Sequence, residues 1–164
     1  MKPKHENTND HDGNIKHLIY TMERAVACAE KTGQGKLTLI IDYEGYSLSN
    51  APPMKTSRET LSILQDHYPE RLYRAYCLHT PYVVYGFYQV ISPFIDTVTK
   101  EKMVMLTNAE LNNPNGRLFE AIEKEVLEKG IGGLDERSFV SATYLTAPFH
   151  LDYKSILDEQ QTQE

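Results

Sequence analysis

Cysteine is scarce in this chain of 164 residues, and tryptophan is absent. Cys28 and Cys77 fall in a helical and a strand pattern, so no disulfide framework is predicted and both are expected to be buried free thiols. Long apolar runs are lacking too, since none approaches the roughly 20 residues of a membrane-spanning helix. No charged segment followed by an apolar one opens the chain, so no signal sequence is predicted and a cytoplasmic location is expected.

An excess of positive charge is also missing, because 23 acidic residues outnumber 17 basic ones and the net charge is −6. General nucleic-acid binding needs a basic face that neutralises phosphates, so nucleic acid is not expected as a partner, and only a local basic patch stays open. The length fits one domain. Residues 1–13 are polar without an apolar period and are predicted to form a flexible arm, which leaves residues 14–164 as the domain.

Helical spacing of apolar residues is present in several segments. One such segment covers residues 14–33 and another covers residues 115–129. A third follows Pro53, and Thr56 with Glu59 has the spacing of a capping box at its start. Between these helices, nearly unbroken apolar runs at 37–43, 73–78 and 103–106 predict strands covered on both faces, which is typical of parallel sheets. The alternation predicts the α/β class.

Residues 82–95, YVVYGFYQVISPFI, form an unusual helical segment that is apolar or aromatic on almost every face. Pro81 suits its first turn, and Pro93 is expected to bend or end it. Such a helix is either part of the core or a lid over a lipid-sized hydrophobic space. Composition alone favours the core, where most apolar helices lie.

Catalytic and metal-binding patterns are not recognisable in the sequence. Gly33 and Gly35 precede a strand, which favours a turn over a phosphate loop, and the serines after Gly45 lack the second glycine of a nucleophile elbow. The histidines are scattered without zinc-ligand spacing, so no metal site and no enzymatic activity are predicted. Asp42 and Glu44 flank Tyr43 at a strand end, where ligands of open α/β sheets collect, so a carboxylate pair is one interpretation. We favour the other, a structural turn in which Asp42 accepts hydrogen bonds from loop amides.

Several motifs together resemble one known family. LTLIIDYEGYSLS contains Asp-x-x-Gly at 42–45, and LQDHYPERLYRAYCLHTPYVVYGFYQVISPFIDTVTKEKMVML contains Tyr-Pro-Glu-Arg at 68–71 and Pro-Phe-Ile-Asp at 93–96. GIGG follows at 130–133. From Ile15 to the region of Phe149, their order and spacing resemble the CRAL-TRIO lipid-binding domain. This family includes phosphatidylinositol-transfer, tocopherol-transfer and retinaldehyde-binding proteins.

The resemblance implies an α/β domain whose mostly parallel sheet floors a hydrophobic pocket for one lipid. A mobile gate helix closes that pocket, and residues 82–95 match it. The residues expected in the pocket and gate are Leu37, Leu39, Ile41, Tyr82, Tyr85, Phe87, Tyr88, Ile91 and Phe94.

In phosphatidylinositol-transfer members, a Glu, a Thr and a Lys hold the lipid headgroup, and they match Glu70, Thr99 and Lys102 here. Lys102 would supply positive charge for the phosphodiester and Thr99 a hydroxyl donor, while Glu70 would accept from inositol hydroxyls or orient Lys102. Arg71 is expected at the surface or beside a carboxylate. The implied ligand is phosphatidylinositol or a phosphoinositide, exchanged with a membrane surface, and no other cofactor is expected.

The sequence also departs from the family pattern. Leu37 and Leu39 replace the Ser and Thr that meet phosphatidylcholine in dual-specificity members, so that lipid is not expected by the same route. The usual Asn-Ala-Pro before the gate helix is His79-Thr80-Pro81, which alters its polar lining. The helical N-terminal module of the family, with its basic headgroup residue, has no counterpart before Ile15, so a pocket open on one side is expected, covered by a protein partner or a homodimer.

Two other functions stay open at this point. The same fold can serve as a protein-interaction or targeting module that no longer transfers lipid, which the missing N-terminal part favours. It can also hold a sterol, tocopherol or retinoid, because the pocket walls rather than the headgroup residues set that choice. In each lipid-binding case the expected location is cytoplasmic with peripheral attachment to membranes.

Overall fold

The computed structural model describes residues 1–5, 9–47, 49 and 51–162, the side chains of 160–162 excepted. In that part of the chain the helices and strands are α1 (His11–Lys31), β1 (Leu37–Asp42), α2 (Met54–His67), β2 (Leu72–Leu78), α3 (Tyr82–Ile91), α4 (Thr97–Glu101), β3 (Met103–Met105), α5 (Asn108–Leu111), α6 (Arg117–Ala121), α7 (Ser141–Thr146) and α8 (Tyr153–Thr162). Short 3-10 turns lie at Pro3–His5, Ser92–Phe94, Lys124–Val126 and Lys129–Ile131.

The strands form a parallel sheet in the order β1-β2-β3. Ile41 of β1 lies opposite Cys77 of β2, and Cys77 lies opposite Met105 of β3. Parallel neighbours need a crossover connection, and α2 supplies it between β1 and β2. The predicted α/β class with parallel strands is therefore confirmed.

The sheet presents a different environment on each face, because successive side chains of a strand point to opposite sides. One face packs into the main core, which is formed by Tyr76, Leu78, Val104, Leu106, Leu118, Leu127 and Ile131. Ile40 of β1 packs against this core, whereas its neighbours Leu37 and Leu39 line a cavity on the other face. The second face thus remains available for a site.

Arg24 of α1 is completely buried and holds the C-terminal segment in place. Its Nη1 donates to the Tyr20 hydroxyl at 2.9 Å and to the Tyr144 carbonyl at 2.7 Å. Its Nη2 donates to the carbonyls of Pro148 at 3.2 Å and Leu151 at 3.0 Å. The guanidinium carbon also lies 3.9 Å from the centre of the Tyr144 ring. One buried cation therefore ties α1 to three backbone positions far along the chain.

The predicted capping box at the start of α2 is wrong. The helix begins at Met54, so Thr56 lies inside it, and the Thr56 hydroxyl lies 2.9 Å from Nδ1 of His11. The other ring nitrogen of His11 is 3.0 Å from a carboxylate oxygen of Glu59. Both side chains assigned to the cap hold α1 against α2 instead.

The long helix predicted over residues 115–129 is also wrong, because α6 ends at Ala121. Beyond it, backbone groups bond across a loop rather than along a helix. The Asp135 amide donates to the Leu127 carbonyl at 2.9 Å, and the Lys129 amide donates to the Asp135 carbonyl at 2.9 Å. The apolar residues of the segment still reach the core, but they do so through turns.

α3 is shorter and more exposed than the sequence suggests. It ends at Ile91, followed by the turn Ser92–Phe94, so the end expected near Pro93 is close to the observed one. Of its ten residues, all of which are described, Val84 alone is buried, while Tyr82 is 94% exposed. The interpretation of α3 as ordinary core is therefore wrong. Within the described ranges, no helix has the length and apolar character needed to cross a membrane.

Both cysteines are free thiols, as predicted, but of the two only Cys77 is buried as expected. Cys77 is buried in β2, and burial raises its pKa to about 11, which keeps it protonated at neutral pH. Cys28 on α1 is half-buried, and its pKa is raised mainly by burial as well. Neither thiol has the low pKa of a nucleophile.

Candidate functional site

A cavity of about 410 Å³ lies between α1, α2 and the second face of the sheet. Its apolar lining consists of Met22, Leu37, Leu39, Leu61, Leu64, Pro69, Leu72, Ile95 and Val98. Its polar lining consists of Gln65, Tyr68, Glu70, Arg71, Asp96, Thr99 and Lys102. The volume lies at the lower end of the range of small-molecule pockets.

The floor of the cavity is formed by alternate side chains of β1. Leu37 and Leu39 are two residues apart and so point to the same side, where both contact the cavity. Ile41 continues this row but does not line the cavity. The two leucines leave the floor without hydrogen-bonding groups.

The structure brings Glu70 to the same cavity as Thr99 and Lys102, although Glu70 comes from a separate stretch of the chain. Glu70 lies in the turn between α2 and β2, with a left-handed backbone at φ 57°. Thr99 belongs to α4, and Lys102 directly follows it. The Lys102 carbonyl accepts from the Ala75 amide at 3.0 Å, which fixes its backbone to the sheet.

The neighbouring charges have partners that leave Lys102 available. Arg71 donates to Glu30 at 2.6 Å and to the Gly35 carbonyl at 3.1 Å, so the expectation of a carboxylate partner is confirmed. Asp96 caps α4 by accepting from the Thr99 amide at 2.8 Å, and hydrogen bonds from Thr99 lower the pKa of Asp96. Over the part of the chain that is described, Lys102 forms no ion pair, so its ammonium can meet an external anion.

The gate residues predicted on and beside α3 do not line this cavity. They are Tyr82, Tyr85, Phe87, Tyr88, Ile91 and Phe94. Tyr82 and Tyr85 are exposed, and the Phe94 ring lies 4.7 Å from the guanidinium of Arg58 on α2. Their role as a gate stays a prediction.

Sequence reasoning missed the helical wall of the cavity. Met22 of α1 and Leu61, Leu64 and Gln65 of α2 face the leucines of β1 across the cavity. The helical spacing of apolar residues in α1 and α2 already indicated that Met22, Leu61 and Leu64 face inward. No local signal indicated that a cavity rather than close packing lies between them and the sheet.

Asp42 belongs to a structural turn rather than to a carboxylate pair, as interpreted from the sequence. It is buried, and its Oδ1 accepts from the Glu44 amide at 3.0 Å. The same oxygen lies 2.8 Å from Nδ1 of His79, beyond the end of β2. Glu44 itself is exposed at the surface.

Comparison with known proteins adds independent information. The sequence profile of the CRAL/TRIO domain matches residues 1–133. A CRAL-TRIO domain-containing protein of Schizosaccharomyces pombe is 35% identical over 133 residues, which cover 81% of this chain and 12% of that protein. The phosphatidylinositol transfer protein PDR17 of Saccharomyces cerevisiae is 33% identical over 109 residues, which cover 63% of this chain and 31% of that protein. The crystal structure of Sfh5 matches with a TM-score of 0.54 and 26% identity, over 77% of this chain and 44% of that one.

The chain spans from 12% to 44% of the length of these relatives. The profile match and the structural match confirm the resemblance seen in the motifs and the CRAL-TRIO fold it implied. Residues beyond 133, including the segment that Arg24 holds, lie outside the profile match. With the motifs, the parallel sheet and the profile in agreement, the chain belongs to the CRAL/TRIO domain family.

Proposed function

We propose that this chain binds one phospholipid, phosphatidylinositol or a phosphoinositide, with the headgroup in the cavity, and exchanges the lipid with membranes. The observation that carries the proposal is that Glu70, Thr99 and Lys102 line one cavity whose floor is apolar. The similarity to a protein named as a phosphatidylinositol transfer protein supports it. The assigned activity is binding and exchange rather than catalysis.

The chemistry of the three side chains suits an inositol phosphate headgroup. The ammonium of Lys102 carries three donors and a positive charge for the phosphodiester, and the Thr99 hydroxyl adds a donor or an acceptor. The Glu70 carboxylate is exposed beside them and accepts from inositol hydroxyls. Leu37 and Leu39 offer no partner to a choline-bearing headgroup, which favours phosphatidylinositol over phosphatidylcholine.

The acyl chains require a movement of α3 in this proposal. A cavity of about 410 Å³ suits a headgroup, and a lipid with two long chains needs more room. α3 buries only Val84 among its described residues and exposes Tyr82, Tyr85 and Val90, so it can contact a bilayer at little packing cost. Contact with a membrane would open the space behind α3, and the proposal therefore includes peripheral attachment to membranes, together with a cytoplasmic location.

Native mass spectrometry of the purified protein, followed by lipid extraction, tests the bound ligand directly. Phosphatidylinositol is the expected species. A sterol, tocopherol or retinoid in its place would contradict the headgroup assignment. A stable protein without lipid that binds a protein partner tightly would contradict lipid exchange and favour an interaction module.

Replacing Lys102 by alanine is expected to slow the transfer of phosphatidylinositol between vesicles about tenfold, because the phosphate loses a charge-assisted hydrogen bond. Transfer of a neutral lipid by the same variant should stay within twofold of its own starting rate. Lys100→Ala is the matched control, since Lys100 lies on α4 but does not line the cavity. An equal loss for all lipids in K102A would indicate general destabilisation and contradict the headgroup role.

A further inference from the structure

The turn that leads from β2 into α3 contains a strained residue. His79 has a left-handed backbone at φ 49°, a region that costs free energy for any residue with a Cβ. Asparagine, aspartate and histidine tolerate this region better than most side chains. His79 lies two residues before Pro81, which precedes the first residue of α3. The conformation of His79 therefore sets the direction in which α3 begins.

A buried carboxylate holds this turn in its strained form. Nδ1 of His79 lies 2.8 Å from Oδ1 of Asp42, and the Asp42 side chain is only 10% exposed. The contact joins the carboxyl ends of β1 and β2. Next to it, the Thr80 hydroxyl donates to the Cys77 carbonyl at 3.0 Å, so the turn has a second, uncharged anchor.

The charges around the pair keep Asp42 ionised. Burial opposes the charged form of Asp42, but hydrogen bonds from His79 and the Glu44 amide, with the nearby charge of Lys2, lower its pKa. Lys2 itself forms an ion pair with Glu128 at 2.7 Å. The charged groups near the pair include Lys2, Glu44, Glu128 and the amino group of Met1, together with Lys4, whose side chain lies against Gly45 in the turn after β1.

We propose that His79 and Asp42 form a pH-sensitive latch at the start of α3. Imidazole is the side-chain class that changes charge between about pH 5 and pH 8. The His79 ring is 26% exposed and lies at the surface end of the contact with the buried Asp42 carboxylate. When the ring is protonated, its bond to the Asp42 carboxylate becomes charge-assisted and stronger, which holds the turn and α3 in place. When the ring is neutral, the bond weakens and α3 opens more readily. The effect of this latch on lipid exchange rests on the proposed function, whereas its effect on the opening of α3 does not.

Hydrogen exchange of α3 amides, corrected for intrinsic rates, tests the latch without any lipid. Protection of residues 82–91 is expected to rise about two- to fivefold from pH 7.5 to pH 5.5, the range of a partly exposed ion pair. His79→Asn keeps a side chain suited to the left-handed turn and an N–H donor for Asp42, but its charge does not change. It should fold at pH 7.5 with wild-type protection and show no rise. Asp42→Asn, which removes the carboxylate instead, should abolish the rise as well.

A second histidine provides the matched control. His11 contacts Thr56 and Glu59 between α1 and α2, so it too pairs an imidazole with a carboxylate, but away from α3. His11→Asn should retain the rise in α3 protection. A rise that persists in H79N would overturn the latch, and so would a rise that disappears in H11N as well as in H79N.

Lipid transfer at the two pH values separates this inference from the proposed function. Wild-type transfer of phosphatidylinositol is expected to be slower at pH 5.5 than at pH 7.5 by the factor seen in α3 protection, and H79N should show no such difference. If no transfer occurs at either pH while α3 protection still follows the charge of His79, the proposed function fails and the latch stands. If transfer occurs but α3 protection is independent of His79, the latch fails alone.

Discussion

Replacing Arg24 by alanine is expected to lower the free energy of unfolding by about 3 to 5 kcal/mol and to release the C-terminal segment from α1. The substitution removes the donors of three carbonyls, those of Tyr144, Pro148 and Leu151, together with the cation that faces the Tyr144 ring. It also leaves a space where a fully buried side chain was. Since a typical domain is stable by about 5 to 15 kcal/mol, the loss is a large part of the total.

Urea unfolding and limited proteolysis measure the two halves of this prediction. Cleavage within residues 139–151 should become fast in R24A while cleavage near the sheet stays slow. The stability of Arg24→Lys should lie between those of the wild type and R24A, because an ammonium cannot reproduce the planar fork that reaches three carbonyls. Lys16→Ala, an exposed basic residue on the same helix, serves as control and should change stability by less than about 0.5 kcal/mol. Unaltered protection of the segment in R24A would contradict the role given to Arg24.

Replacing Gly133 by alanine is expected to cost at least about 3 kcal/mol, because the new Cβ has no space. Gly133 is buried, and a Cβ there would overlap the carbonyl oxygen and the Cβ of Leu127. Leu127 is 3% exposed and part of the main core, so neither backbone nor side chain can move away freely. The variant is expected to unfold at a markedly lower temperature.

The matched control for Gly133 lies three residues earlier. A Cβ on Gly130, within the turn Lys129–Ile131, would meet no atom within 4 Å. Gly130→Ala should therefore leave stability unchanged or raise it by about 0.4–1 kcal/mol, through the unfolded state. Thermal unfolding of G133A and G130A, measured side by side, tests this explanation. Similar losses of stability in both variants would show that the close contact between Gly133 and Leu127 is not the cause.

The strands were predictable because their signal is local. The apolar runs around Leu39, Tyr76 and Val104 are dense enough in the sequence to mark buried strands, and the structure contains all three close to the expected bounds. α1 was predictable for the same reason, since Leu18 and Met22 recur at helical spacing. Its start at His11 lies three residues before the predicted one, within a segment expected to be a flexible arm.

The predictions that were wrong failed for a different reason. In each case a residue bonds a partner far away in the chain instead of the local partner that its sequence pattern indicated. The Thr56 hydroxyl bonds His11, 45 residues before it, and not the start of its own helix. The backbone after Ala121 pairs across the GIGG loop, so a helical pattern of apolar residues does not become a helix. α7 and the start of α8 lie in the segment that Arg24 organises, and no periodicity near them indicated a buried arginine on α1.

The candidate site also has a part that the sequence predicted and a part that depends on packing. Glu70, Thr99 and Lys102 were found through motifs, and their shared position at one cavity follows from the parallel order of the sheet. Whether the aromatic residues of α3 face that cavity depends on how α3 packs, which its composition does not determine. Tyr82 and Val90 are exposed because α3 packs against few other residues, a property that only the structure reveals.

The alternation along β1 makes it possible to change the cavity and the core separately. Leu37 and Leu39 line the cavity, whereas Ile40, on the opposite side of β1, packs against the main core. A change at Leu37 or Leu39 therefore alters the cavity without touching the main core, whereas a change at Ile40 alters the packing of the core. A library that randomises only Leu37 and Leu39 would vary the shape and polarity of the cavity while the main core keeps its residues.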